Sequence, residues 1–301
     1  MTIRESRPEG AIVYWNGAPT DRQKLFEGLT ATGMEDYVPC QRTEAASLKM
    51  ALEEFIDDAI SERRSARTHK TQQDGERVIR DKIVQPLRNQ KENGFEVVDV
   101  TRKDDQNDYV VDFAAKVIDG QVQISRGYAS QAKVQRAYEV YRATLGGSAI
   151  GGALIDIVKD LGGVTLRDSG GIYWLANDKL EQWEKVISAF EAAGDNQVYM
   201  VRTIMDAKTV RAVNDAIVDE VTKRSAELAD EIMHGKLGEQ AIDNRLQSAK
   251  ALHARVREYE SILGQTMQHL HQVIGIAEVA ASSATAIKED SSVFDEMFAE
   301  A

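Results

Sequence analysis

Two glycine doublets in the run LGGSAIGGAL (145–154) are the first place where chemistry is expected, because backbone N–H groups at a glycine-rich helix start cradle phosphate. A Walker-type loop needs Lys-Ser/Thr after its last glycine, and here Ala153-Leu154 follows. A dinucleotide fingerprint needs a preceding strand, whereas the pattern ahead of these glycines is helical. The doublets therefore read as a helix-break-helix turn. The histidines are His69, His234, His253, His269 and His271. They form no HExxH pair, and His269 and His271, at i and i+2 of a helix, point to different sides. Asp104, Asp105 and Asp108 lack the glycine and distal glutamate of a calcium loop, so DDQND reads as a solvated turn. Cys40, the single cysteine, has no context for nucleophilic chemistry. Glu53-Glu54 and Asp57-Asp58 fall on a helix face expected to be solvated, and acid–base work needs a pocket that shifts pKa. No catalytic residue, metal site or cofactor is assigned.

Binding is the chemistry that remains. Residues 63–91 carry nine Lys/Arg side chains, from Arg63 to Lys91, against Asp74, Glu76 and Asp81. Arg63, Arg64, Arg67 and Lys70 lie beside THKTQQDG, expected to be a mobile loop, and are the candidate phosphate contacts of a nucleic-acid site. A solubilising patch is the plainer reading. Helix, glycine turn and hairpin from Ile150 to Leu175 follow the order of a winged helix. Yet the helix shows Asp156, Lys159 and Asp160 between its apolar positions, where a base-reading helix presents Arg, Lys, Asn or Gln. In the tail SSVFDEMFAEA, Phe294, Met297 and Phe298 share one helical face, which suits capture in a partner's groove. A frayed end is the plain alternative.

The elements that must position these residues follow from hydrophobic period. AIVYW (11–15) is a buried strand ended by Asn16-Gly17. Asp21 or Thr20 caps a helix through Leu25, Phe26 and Leu29, stopped at Gly33. A second helix starts near Thr43 and places Leu48, Leu52, Phe55, Ile56 and Ala59 inward. Val78, Ile79, Ile83 and Leu87 predict another helix, kinked at Pro86. FEVVDV, YVVDFAAKVI and QVQIS predict an antiparallel meander. Helices are expected from about Ser130 to Leu145 and from Ile150 to Leu161. VTLRDSGGIYWL then reads as a hairpin. A helix through Leu180, Trp183, Val186, Ile187 and Phe190 follows, and QVYMVRTIM is a strand able to join the hairpin in a small sheet.

After Asp206 the chain reads as helix almost to its end, in two arms of roughly 40 and roughly 70 Å that form an antiparallel hairpin turned at His234-Gly235. The second arm outreaches the first. Its apolar Val273, Ile274, Ile276 and Val279 must then be buried elsewhere, so Val273, Ile274 and Val279 are the candidate oligomer interface.

The run GGVTLRDSGGIYWL, then Trp183, then QVYMVRTIMD before two long helices, resembles a family of uncharacterised bacterial and phage proteins. The resemblance implies a prokaryotic or mobile-element setting and carries over no catalytic residue.

The fold class expected is α+β: an N-terminal α/β part with an antiparallel meander (1–127), a small, winged-helix-like α/β unit (128–205), a coiled-coil-like C-terminal helical hairpin (206–288) and an acidic-aromatic tail (289–301). A hydrophobic share of 43% with 29% charged residues is ordinary globular composition. The net charge of −12 argues against broad, non-specific binding to nucleic acid or membrane. One cysteine and a polar N-terminus, MTIRESRPEG, point to the cytoplasm. No apolar run approaches the ~20 residues that span a bilayer. The expected function is a non-enzymatic adaptor or assembly protein with protein partners, self-associating and not membrane-bound. The alternatives are a nucleic-acid-associated protein using residues 63–91 and an enzyme whose site is dispersed over several elements.

Overall fold

The computed structural model describes residues 10–67, 79–87, 94–103, 106–125, 131–167, 171–204, 206–234, 237–264 and 266–299, with side chains described except at 58–67, 79–81, 101–103, 106–107, 239 and 284–299. The chain is mixed α+β, as its periodicities predict. Its contacts divide it into two units, neither a continuous stretch: residues 1–16, 154–188 and 197–301 form one, and 17–153 with 189–196 the other.

In the first unit four strands form an antiparallel sheet in the order β10-β1-β9-β8. These are β1 (Gly10–Asn16), β8 (Val164–Thr165), β9 (Tyr173–Ala176) and β10 (Gln197–Thr203). β1 lies between strands distant in sequence, with Val13 opposite Met200 on one side and Tyr173 on the other. The predicted hairpin is therefore part of a larger sheet rather than a free wing. The strand predicted from QVYMVRTIM joins this sheet, but beside β1.

One face of the sheet packs on the C-terminal helices. Val164, Trp174 and Ala176 share a core with Val213, Ile217, Val221, Val256, Tyr259, Leu270 and Ile274. Gly10 makes room for the Trp174 indole, since a Cβ there would lie 2.2 Å from the ring. The indole N–H donates to Thr203 Oγ1 at 3.1 Å. On the other face Trp15 stacks on Tyr173 at 5.5 Å and leans on Trp183 at 6.1 Å. Burying such large apolar side chains stabilises by roughly 2–3 kcal/mol each.

The C-terminal helices are α6 (Ala207–His234), α7 (Glu239–Leu263) and α8 (Gln268–Ala299). The α6–α7 hairpin matches its prediction. The single 70 Å second arm does not form: the chain breaks at Gly264, whose φ of +63° ends α7, and α8 packs back on both α6 and α7. A left-handed residue cannot continue a helix, and glycine adopts that conformation without the Cβ penalty.

In the second unit α1 (Arg22–Thr30) is capped by the Asp21 carboxylate, which accepts from Lys24 N at 3.0 Å. A four-stranded antiparallel sheet, β3 (Ile79–Pro86), β4 (Gly94–Lys103), β5 (Gln106–Ile118) and β6 (Gln121–Ile124), packs against α2 (Glu44–Arg67) and α3 (Gln131–Ala143). Its core holds Leu48, Leu52, Ile56, Val97, Phe113, Val122, Val134 and Tyr138. The meander and both helices agree with the sequence reading. The predicted helix over Ile79–Leu87 is instead the edge strand β3. Asn196 pins a loop of this unit: its amide donates to Thr20 Oγ1 and Phe190 O, both at 2.8 Å, and its Oδ1 accepts from Ala18 N at 2.9 Å. The short β2 (Thr20–Asp21) pairs with β7 (Thr144–Leu145). Two helices contain the boundary between units, α4 (Gly147–Asp160) and α5 (Leu180–Ala193).

Candidate interaction surface

β10 ends its sheet and pairs only with β1 among the described residues. Every alternate residue along its outer side thus offers a backbone N–H and C=O with no strand opposite, which is a template for another strand. Sheet edges are usually blunted by lysine, proline, a bulge or an inward-pointing charge. β10 has no lysine, no proline and no bulge: its register with β1 is regular from Gln197 to Thr203, and its one charged residue is Arg202. The Arg202 guanidinium lies 2.7 Å from Glu184 Oε1, so its charge is held within the unit.

An apolar platform adjoins this edge. Tyr14 and Tyr199 are cross-strand partners whose rings stack at 4.8 Å. Strand alternation puts Val201 on the same face, opposite Ile12. Tyr14, Tyr199 and Val201 are 38, 42 and 51% exposed, although the same face is buried further along the sheet at Trp174 and Val164. Open main-chain groups beside uncovered aromatic and β-branched side chains are what strand addition requires: main-chain bonds supply affinity, and alternate side chains supply specificity.

The residues singled out from the sequence do not gather here. The backbones of Arg63, Arg64 and Arg67 lie in α2, but their side chains, and all of Lys70, His69 and THKTQQDG, lie outside the described residues. Phe294, Met297 and Phe298 fall in α8, again with side chains outside the described residues. Ile274 is fully buried and Val273 half-buried in the first unit, whereas Ile276 and Val279 are 63 and 66% exposed. The turn at Gly264 folds α8 back on α6 and α7, so Ile274 is covered within the chain rather than left beyond the reach of α6.

Gly147 sits against Gly17 so closely that a Cβ would meet Gly17 O at 2.5 Å, so the first doublet serves close packing at the start of α4; Gly151 and Gly152 lie inside α4, and a Cβ at Gly152 would meet nothing within 4 Å. Cys40 is exposed. On α2, Glu54 is engaged by the Tyr141 hydroxyl, and with burial this bond pushes the phenol up to about 12. His271 has His253, not His269, as its neighbour, Nδ1 to Nδ1 at 3.2 Å across α7 and α8, one nitrogen donating and the other accepting. Glu260 lies 3.2 Å from His271 Nε2, and Glu278 lies 3.8 Å from His253 Nε2. Among the described residues no group of three or more His, Cys, Asp or Glu side chains is placed to hold a metal ion. Nor is any helix among them long and apolar enough to cross a membrane.

Sequence reasoning found the β10 strand but not its surface. QVYMVRTIM is apolar at both parities, Val198 and Met200 as well as Tyr199 and Val201, and such a run reads as buried on both faces. Only the strand order reveals an edge.

No curated protein and no solved structure matches the chain. Residues 10–290 match the model of a family of unknown function, DUF6744, a span that takes in every strand described above and nearly all of the C-terminal helices; the chain belongs to that family.

Proposed function

We propose that this chain is a non-enzymatic assembly or adaptor protein whose contact is made by strand addition at β10. The observation that carries the reading is the unblunted, exposed edge beside the Tyr14–Tyr199 stack. A cleft of about 560 Å³ in the same unit is lined by Lys159, Thr165, Lys223 and two ion pairs, Arg255–Glu220 at 2.8 Å and Arg224–Glu227 at 3.1 Å. Those pairs neutralise much of the charge that would recognise a ligand there. A cytoplasmic location in a prokaryotic or mobile-element setting rests on the single cysteine and on the resemblance carried by GGVTLRDSGGIYWL.

The test is a paired capture from the native host. Wild-type protein and Tyr199→Lys/Val201→Lys are cross-linked in cells, alongside Met233→Glu, at a 63% exposed position, as a surface control. We expect the cross-linked species formed by wild type to persist in the control and to vanish in the edge variant. Persistence in the edge variant, with folding intact by circular dichroism, rejects the reading.

A further inference from the structure

Resting on that reading, we infer that the strand added at β10 is β10 of a second copy of this chain, antiparallel and related by a twofold axis through Met200. A self-pairing antiparallel strand must centre on a residue, because opposed residues share a face. Centring on Met200 pairs all seven residues of Gln197–Thr203. Tyr199 then faces Val201 of the second copy, and Val201 faces its Tyr199. Aromatic against β-branched is a favourable cross-strand combination, and it occurs twice.

Charge agrees with this assignment. Arg202 is the only ionised residue in the strand, it would face Val198 of the second copy, and it is already paired with Glu184 in its own chain. Two chains of net charge −12 repel at a distance, but this edge brings no like charges together. The axis is perpendicular to the sheet, so faces are preserved. Both Tyr14–Tyr199 stacks then lie on one face of a continuous sheet, and each Tyr199 ring, 42% exposed in the single chain, gains Val201 of the second copy as its neighbour across the new edge. An isologous contact of this kind closes on itself and does not propagate into fibres.

Sedimentation equilibrium on the full chain tests the inference, with three expected outcomes. Wild type is a dimer at tens of micromolar. Tyr199→Lys/Val201→Lys opposes two lysine pairs in this register, weakens dimerisation by at least roughly tenfold and leaves the chain folded by circular dichroism. Tyr199→Lys/Val201→Glu opposes Lys to Glu twice and restores a dimer that now weakens with salt. Hydrogen exchange supplies a readout that needs no substitution: alternate β10 amides of wild type become protected as concentration rises. A monomeric wild type at all these concentrations overturns the inference, as does a folded double-lysine variant that stays dimeric. If wild type is monomeric and the double-lysine variant still loses its cellular cross-link, the second copy is wrong and the strand-addition reading stands. If that cross-link also survives, both fall.

Discussion

Ser225 lies on the inward stripe of α6, between Val221 and Leu228, and is buried with a hydroxyl that has no hydrogen-bond partner. A buried hydroxyl loses its water bonds and here regains none. Ser225→Ala is expected to stabilise the protein by about 1 kcal/mol, read as a higher urea midpoint at constant slope. Glu260 is the opposite case, a carboxylate whose partners are all supplied. Its Oε1 accepts from Met267 N at 2.5 Å and its Oε2 lies beside His271. The Met267 N–H first, then His271, hold its carboxyl below the ordinary value of 4.5. A carboxylate depressed in the folded state adds stability above its unfolded pKa and loses it as pH falls through the folded value. Unfolding titrations should therefore show wild type losing stability below about pH 4.5. Glu260→Gln should lose less over the same range and be less stable at neutral pH. Equal slopes for the two proteins would remove Glu260 from the account.

At the scale of elements, β3 shows how one spacing serves two periods. Ile79, Ile83 and Leu87 recur every fourth residue, which suits one face of a helix and equally one face of a strand. Pairing with β4 over Ile79–Pro86 decides for the strand. Pro86, which argued for a kinked helix, is tolerated because β3 is an edge strand and Pro86 ends it. Gly264 decides the fate of the last helices. Nothing lies within 4 Å of a Cβ built there, so a substitution meets only the backbone cost of φ +63°. Gly264→Ala should destabilise by about 1 kcal/mol. A thermal melt that does not move would mean that the α7–α8 corner tolerates a side chain in this conformation.

At the scale of the whole molecule, each unit is closed by pairings distant in sequence. Gly10 meets Thr203 in the first unit, and Asn196 reaches Thr20 in the second. Within the first unit α8 shares one apolar core with α6 and α7. Ile274→Glu should therefore destabilise by at least ~3 kcal/mol, because it places a charge in that core. Val279→Glu, at an exposed position, should change stability by less than about 0.5 kcal/mol. Denaturant midpoints measured at two protein concentrations separate these effects from dissociation. If Ile274→Glu keeps its midpoint and only changes mass, Ile274 belongs to an interface after all.

Most element types were legible in the sequence because period is local. Strand-like runs at AIVYW, the meander and QVYMVRTIM, the capping Asp21, and the inward stripes of α2, α3 and α6 all follow from residues a few positions apart. Neither reading of the Ile79 segment could be chosen that way, since a spacing of four fits both. Strand order was not legible either: β1 lies between β9 and β10 because of side chains more than a hundred positions away, among them Gly10 beneath Trp174. The open edge of β10 is a consequence of that order. A run apolar on both faces is the same in a central strand and an edge strand, and only its neighbours in space decide which backbone groups are left unpaired.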